Sequence, residues 1–247
     1  MKYVFMGAGP IAKKCLEQYL NPENEAKLPV AIIADKDNLS IFKSSSPTIK
    51  LIEINSTDKK EDAIKIIFEN FRPEFIVSVQ YPWILPSSIL SLVPNGAFNI
   101  HNAKLPDYRG HNALSYEILN GDKSHISTLH LMEPIVDRGN MVKSEEIDIN
   151  EDDTAFSLWK RSIDSCVSLF HWLVILKNYK NVKSLQKPII GEGKYYRKHD
   201  IHAAKILPKD ADQETLIRYA RAFHFPPHEP AYVLKGNKKI HCVPDWS

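Results

Sequence analysis

Short β-branched runs alternate with stretches of helical period through the first half of the chain, and nothing else in the sequence restricts the fold as much. Strands separated by helices pair in parallel, because such crossovers are too long for hairpins, so the pattern implies βαβ units in a mostly parallel sheet. Tyr3 to Met6 reads as the first strand, followed by a helix over Ile11 to Leu20, with Pro10 where a first turn tolerates a missing N–H. Val30 to Ala34 and Ile49 to Ile54 read as the next strands, and Lys60 to Phe71 as an amphipathic helix. Phe75 to Val79 and Ala97 to His101 complete an α/β, Rossmann-like series.

The character changes near His125. Ile126 to Met132 and Met141 to Ile149 read as an antiparallel pair joined by a loop that holds Asp137 and Gly139. Asp153 or Thr154 then caps a long helix reaching about Tyr179, with Phe156, Trp159, Ile163, Val167, Phe170 and Val174 as its core stripe. Beyond Lys187 the chain becomes richer in proline and aromatics, with a helix around Asp212 to Phe223. A final hairpin is expected from Val233 to Leu234 and Ile240 to Val243 across the turn Gly236-Asn237. The expected organisation is therefore a main domain over 1–186 and a small C-terminal subdomain over 187–247.

A chain of 247 residues with 43% hydrophobic and 25% charged side chains has the composition of a globular protein, long enough for one α/β domain and an appendage. Its 32 Lys and Arg are scattered among 30 Asp and Glu, so the dense basic face of a nucleic-acid binder is not expected. Cys15, Cys166 and Cys242 form no CxxC pair, which argues against a disulfide framework or a zinc site and for a reducing, cytoplasmic setting. MKYVFMGAGP holds no apolar signal core. The longest apolar run, Leu169 to Leu176, contains His171 and falls short of the ~20 residues a bilayer span needs, so neither secretion nor membrane insertion is expected.

Gly7-Ala8-Gly9-Pro10-Ile11-Ala12 fits GxGxxA between a strand and a helix. Three readings suit it: a nicotinamide cofactor, a phosphate-bearing substrate on the helix N-terminus, and a tight structural turn. The acid that would bind a cofactor ribose is expected about 20 residues further on, and only Asp35 and Asp37, somewhat late, stand near that place. Asn99 and His101, two apart on a strand, point to the same face near its C-terminal end, where open α/β sheets bind ligands. A lone histidine there is commonly structural. Here a turn-rich loop, Lys104 to Gly110, follows the pair at once, and Asp137 stands in a second loop.

FNIHNAKLPDYRG, Phe98 to Gly110, resembles the N-x-H-x-x-x-L-P-x-Y-R-G segment of the folate-dependent formyltransferases, and MEPIVDRGNMV, Met132 to Val142, resembles their downstream aspartate loop. The likeness runs over roughly Lys2 to Leu185. It implies the formyltransferase fold, 10-formyltetrahydrofolate as formyl donor, no metal, and Asn99, His101 and Asp137 as the catalytic residues. These residue types suit formyl transfer to a neutral amine. An amide N–H from Asn99 stabilises the developing oxyanion, an effect of about 3 kcal/mol in comparable sites. Imidazole, which titrates near neutrality, takes the amine proton at His101, and Asp137 orients the ring or stabilises its cation. The same resemblance assigns Tyr81, Trp83, Ile84 and Leu85 to a loop whose main chain grips the donor's pteridine, with Asp137 also at the donor. A strand end running into a proline-capped helix is the plain structural reading of that stretch.

GEGKYYRKHDI and RAFHFPPHEPAYVLKGNKKI look like the tail of the sugar-nucleotide N-formyltransferases. That branch implies a nucleotide-linked amino deoxysugar as acceptor, with dTDP-4-amino-4,6-dideoxyglucose ahead of a dTDP-3-amino-3,6-dideoxyhexose, and a product destined for O-antigen or another surface polysaccharide. Gly9, Pro10, Ile11 and Arg109 then serve the substrate, Tyr196 and Arg197 its pyrophosphate, and Phe223 or Phe225 its base. The bland alternative has these aromatics packing the subdomain or a dimer seam, and a homodimer through the C-terminal hairpin is implied. Two other classes compete. A nicotinamide-dependent oxidoreductase would use the GxGxxA turn, and a nucleotide-sugar binding module would keep the fold without the chemistry, against which intact Asn99, His101 and Asp137 argue.

Overall fold

In the computed structural model, which describes residues 1–17, 19, 27–34, 36–42, 49–53 and 60–245, the first half alternates strand and helix. It comprises β1 (Tyr3–Gly7), α1 (Gly9–Glu17), β2 (Ala31–Ala34), α2 (Lys36–Phe42), β3 (Lys50–Glu53), α3 (Lys60–Phe71), β4 (Phe75–Val79), α4 (Ser87–Leu90) and β5 (Ala97–His101). There follow β6 (Arg109–Gly110), α5 (Ala113–Asn120), β7 (Ser124–Leu131), β8 (Met141–Asp148), α6 (Ala155–Phe170), α7 (Val182–Leu185), β9 (Tyr195–Tyr196), α8 (Asp200–Ala204) and α9 (Gln213–Ala222). The hairpin of β10 (Ala231–Lys235) and β11 (Lys238–Cys242) comes last, with Lys235 paired to Lys238 across Gly236-Asn237 as the turn signal implies.

Seven strands form one sheet in the order β3-β2-β1-β4-β5-β7-β8. Pairing is parallel from β3 through β5 and antiparallel where β7 meets β5. Every residue of β1, β2 and β4 is buried, which is why these strands read as unbroken apolar runs rather than alternating ones. Strand order reverses between β1 and β4, and at such a reversal a crevice opens beyond the carboxyl ends of the strands. The glycine turn sits at that end. Ala8 N–H donates to the Val79 carbonyl at 3.1 Å. A Cβ on Gly7 would lie 2.3 Å from a Phe5 ring carbon and 2.9 Å from the Ala12 Cβ, so small residues at both positions let α1 press onto β1.

Two units can be described, each by itself. The first takes Met1–His101, Thr128–Glu145 and Cys166–Ile190. Phe75 is stacked there on Tyr3 at 5.2 Å and on Tyr179 at 4.2 Å, with Phe98 edge-on at 6.2 Å. The second takes Asn102–Ser127, Glu146–Ser165 and Gly191–Ser247, with a core that includes Ile118, Leu158, Leu207, Phe223 and Ala231. In this unit β9 pairs in parallel with β6, a ladder of two residues on each side. Thr154 is the residue that caps α6. Its hydroxyl accepts from Ser157 N–H at 3.1 Å while Ser157 Oγ accepts from Thr154 N–H at 2.9 Å, a reciprocal box.

The helix expected to reach Tyr179 stops at Phe170 and gives way to a π-helical turn, His171–Ile175. Lys177 then takes a left-handed backbone, φ 58°, and the Asn178 amide donates to the Trp172 carbonyl at 2.8 Å, which closes the helix end. The first helix begins at Gly9 rather than Ile11, and residues 18 and 20 at its expected end lie outside the described residues. So do Ile54, Asp35 and the Asp37 side chain, the two acids considered for a ribose.

Candidate active site

β5 buries Phe98 and Ile100 and leaves Asn99 and His101 half-buried, as alternation along a strand requires. Antiparallel register with β7 sets Asn99 opposite His130 and His101 opposite Thr128. The loop after β7 returns Asp137 to this neighbourhood with a left-handed backbone, φ 52°, which aspartate tolerates better than most residues. Gly139 makes the return possible by its size. A Cβ there would lie 1.9 Å from the Leu131 carbonyl oxygen.

All these groups belong to the first unit. The Asp137 carboxylate reaches two rings: Oδ2 is 3.7 Å from His101 Nε2, and Oδ1 is 3.5 Å from His130 Nε2. Asn99 Nδ2 lies 3.1 Å from His130 Nε2, and His130 Nδ1 lies 2.7 Å from the Leu131 carbonyl. The two imidazoles stand edge to face, with centroids 6.5 Å apart at 84°. Side-chain exposure is 7% for Asp137 and 13% for His101, so the carboxylate acts across a poorly hydrated gap on a ring that still meets solvent. An amide donor, an imidazole and a buried carboxylate at a sheet's carboxyl edge can stabilise an oxyanion, take a proton and hold the resulting cation. Asn99, His101 and Asp137 are thus brought together, and His130, which the sequence reading missed, stands among them. Among the described residues no group of three His, Cys, Asp or Glu is placed to hold a metal ion.

The remaining expected site residues are spread over both units. In the first, Gly9 has φ 69° at the start of α1, with Pro10 exposed and Ile11 fully buried, so Ile11 offers only its main chain. Tyr81 and Trp83 pack half-buried against the core with rings 5.0 Å apart at 84°, Leu85 belongs to that core, and Ile84 is 59% exposed. The geometry suits a loop that acts through main chain, with Ile84 as the accessible side chain.

In the second unit Tyr196 is buried between Tyr116 at 4.0 Å and Tyr108 at 5.8 Å, both stacked. Phe223 is 2% exposed in the core. Both rings are therefore engaged in packing: Phe223, expected at a base, and Tyr196, expected with Arg197 at a pyrophosphate, present little side-chain surface. Phe225 remains half-buried, edge-on to Phe156 at 5.3 Å and Trp159 at 5.5 Å. Arg197 is exposed, and its N–H donates to Asp200 at 2.8 Å. Arg109 has its guanidinium carbon 5.9 Å from the Tyr195 ring centroid and its Nε buried without a hydrogen-bond partner among the described residues. Burial, and the hydrogen bond that Tyr108 donates to Asp122 at 2.6 Å, hold the Tyr108 phenol well above its ordinary pKa.

A polar chain that starts at half-buried Asn102 and runs into buried side chains follows His101 directly in sequence. Asn102 Nδ2 donates to Ser162 Oγ at 2.8 Å, leaving Asn102 Oδ1 3.0 Å from His125 Nε2. His125 Nδ1 in turn lies 2.7 Å from Glu117 Oε2, with both side chains at most 1% exposed. Among the described residues no helix is long and apolar enough to cross a membrane.

Residues 1–171 match a protein family described as formyl transferase. The GDP-perosamine N-formyltransferase of Brucella melitensis biotype 1 is 29% identical over 209 residues, covering 85% of this chain and 79% of that protein. Among solved structures, a 4-N formyltransferase from Francisella tularensis superposes with a TM-score of 0.79 at 20% identity, covering 98% of this chain and 96% of that one. An N-formyltransferase from Helicobacter canadensis, in complex with folinic acid and dTDP-3-aminofucose, gives 0.73 at 21% identity, covering 97% and 86%. Both structures share the fold of this chain.

Proposed function

Because the chain belongs to the formyl transferase family, we propose that it moves a formyl group from 10-formyltetrahydrofolate to the amine of a nucleotide-linked amino deoxysugar. The observation that carries the reading is the Asp137 carboxylate 3.7 Å from His101 Nε2, on the strand that also presents Asn99. The amine nitrogen attacks the formyl carbon. Asn99 donates an N–H to the oxygen that becomes negative, His101 takes the proton the nitrogen loses, and Asp137 stabilises the imidazolium. The bond from the formyl carbon to the folate nitrogen breaks, that nitrogen gains a proton, and tetrahydrofolate leaves beside the N-formyl sugar. The formyl donor is a substrate, consumed in each turnover.

The loop of Tyr81, Trp83, Ile84 and Leu85 takes the pteridine through its main chain, and Gly9 with Pro10 takes phosphate at the start of α1. Arg109, Arg197 and Phe225 are the accessible members of the acceptor set in the second unit. The relative named for GDP-perosamine and the solved neighbour holding dTDP-3-aminofucose support a sugar nucleotide as acceptor. Our specific choice is dTDP-4-amino-4,6-dideoxyglucose, formylated for a surface polysaccharide, by a homodimer joined through the C-terminal hairpin, on which Leu234 and Ile240 stand 46% and 51% exposed.

The test is a mass-spectrometric screen of dTDP-, UDP- and GDP-linked amino sugars with the formyl donor, scored for the gain of one formyl group. Turnover of the dTDP-4-amino sugar supports the choice. Turnover of a GDP- or 3-amino sugar instead corrects the acceptor, and transfer to glycinamide ribonucleotide or to no amino sugar overturns the reading.

A further inference from the structure

We propose that His130 is a positioning residue that fixes which end of the Asn99 amide faces the reaction, a role that rests on the reading of Asn99 above. The Leu131 carbonyl can only accept. With that oxygen 2.7 Å away, His130 Nδ1 carries a proton. In the neutral ring Nε2 then bears the lone pair, and its neighbour at 3.1 Å is the Asn99 terminal nitrogen. An amide oxygen in that place would set lone pair against lone pair. Asn99 therefore presents its NH2 group, donates one N–H to His130, and keeps the second N–H for another acceptor.

A rotating amide offers an oxyanion either a donor or a repelling oxygen. Held as described, it offers only the donor, and no reorganisation is needed when charge develops. The surroundings keep His130 from moving. Its side chain is 3% exposed, it faces Asn99 across the β5–β7 pairing, and its main chain belongs to β7. The other ionisable groups at the ring are the Asp137 carboxylate, 3.5 Å from Nε2, and the His101 ring at 6.5 Å. Protonation of Nε2 would reverse the pattern: the ring would become a donor there, Asn99 would turn its oxygen inward, and the oriented N–H would be lost.

Two measurements on the full chain decide the matter. Nitrogen-15 spectra of the histidine rings should show His130, assigned by its loss in His130→Gln, as the neutral Nδ1–H tautomer at neutral pH. An imidazolium or an Nε2–H tautomer would overturn the inference. In turnover, His130→Phe keeps a ring but no acceptor and should lower kcat about 100-fold, the scale of losing one oxyanion donor, with KM for both substrates within about threefold. His130→Gln restores an acceptor and should recover at least about tenfold of that loss, a rescue that a merely structural role would not produce.

Asn99→Ala and His101→Asn run in parallel. Loss of turnover in both with a normal rate in His130→Phe would sink the proposal and leave the assigned function standing. Normal turnover in Asn99→Ala would remove the role of Asn99 and the proposal together. Should His130→Phe fail to fold, the tautomer and the rate of His130→Gln, expected within about tenfold of the parent, still decide.

Discussion

Gly139 lies against the main chain of Leu131 so closely that a Cβ on it would stand 1.9 Å from the Leu131 oxygen and 2.7 Å from its carbonyl carbon. That same oxygen accepts from His130 Nδ1, and Leu131 N–H donates to the Asn140 carbonyl at 2.9 Å. Since the obstacle is backbone, it cannot swing aside as a side-chain tip would. Gly139→Ala should push the Asp137 loop off β7, lower formyl transfer at least about 100-fold, and leave the fold in place with a reduced melting temperature. Turnover by mass spectrometry beside a circular-dichroism melt checks this, and a rate within twofold of the parent would contradict it.

His101→Asn and Asp137→Asn should each cost orders of magnitude in kcat while their melting curves stay near the parent's. His101 sits half-buried at a strand end and Asp137 in a loop, so neither supports much packing. Stopped assays in saturating donor and acceptor provide the measurement. Near-normal turnover in both variants would remove the roles assigned to them.

How far the sequence foretold this arrangement depends on how local the signal was. Lys60–Phe71, Phe75–Val79 and Ala97–His101 have the bounds that their periodicity predicts, because a buried parallel strand or an amphipathic helix writes its environment into every residue. His130 escaped notice for the opposite reason. In a strand of alternating character one histidine reads as ordinary, and only the register that sets it opposite Asn99 reveals its company. The turn signals around Ile126 to Met132 point only to the strand after it, whereas its partner on the other side, β5, lies well before it in the chain. The π-turn at His171 and the two-residue ladder of β6 and β9 were equally silent, since both depend on partners remote in the chain.

Glu117 and His125 are a buried pair, with both side chains at most 1% exposed. Asn102 donates its NH2 to Ser162, and its oxygen, which accepts from Ser127 Oγ at 2.9 Å, lies 3.0 Å from His125 Nε2. His125 Nδ1 lies 2.7 Å from Glu117 Oε2 on its other side. Glu117→Ala should cost about 3–5 kcal/mol, because it strands the buried His125 ring without its partner, whereas Glu117→Leu combined with His125→Leu should regain most of that. Urea unfolding of the single and double variants measures the difference. Equal destabilisation by both would argue that packing, not the broken polar pair, is the issue.

Alkaline pH should expose the tyrosine cluster of the second unit. Burial first, then Asp200 and Tyr196 nearby, push the Tyr116 phenol up to about 12, and Tyr108 is raised further by burial and its bond to Asp122. The folded chain holds these protons more tightly than the unfolded chain, whose phenols titrate near 10, so unfolding releases protons above that pH. Stability is therefore fully present below about pH 10 and falls as pH rises from there toward 12. Phenolate absorbance recorded with circular dichroism should show a late group of tyrosines ionising together with loss of structure. All ten tyrosines titrating near pH 10 in an intact fold would refute this.

The ladder of β6 and β9 bears on any attempt to graft one acceptor preference onto another chain. Arg109 N–H donates to the Lys194 carbonyl at 3.0 Å and His111 N–H to the Tyr196 carbonyl at 2.9 Å. A Cβ on Gly193 would lie 1.8 Å from the Pro106 oxygen. A chimera joined at 186/187 would bring a foreign strand against the LPDYRG loop, and both halves of that seam would have to fit. Joining after Arg197 instead keeps the native strand with its native loop, so exchange of the tail alone becomes a separable experiment. Natural recombination between relatives would face the same constraint, and crossover points should avoid the stretch from Gly193 to Tyr196.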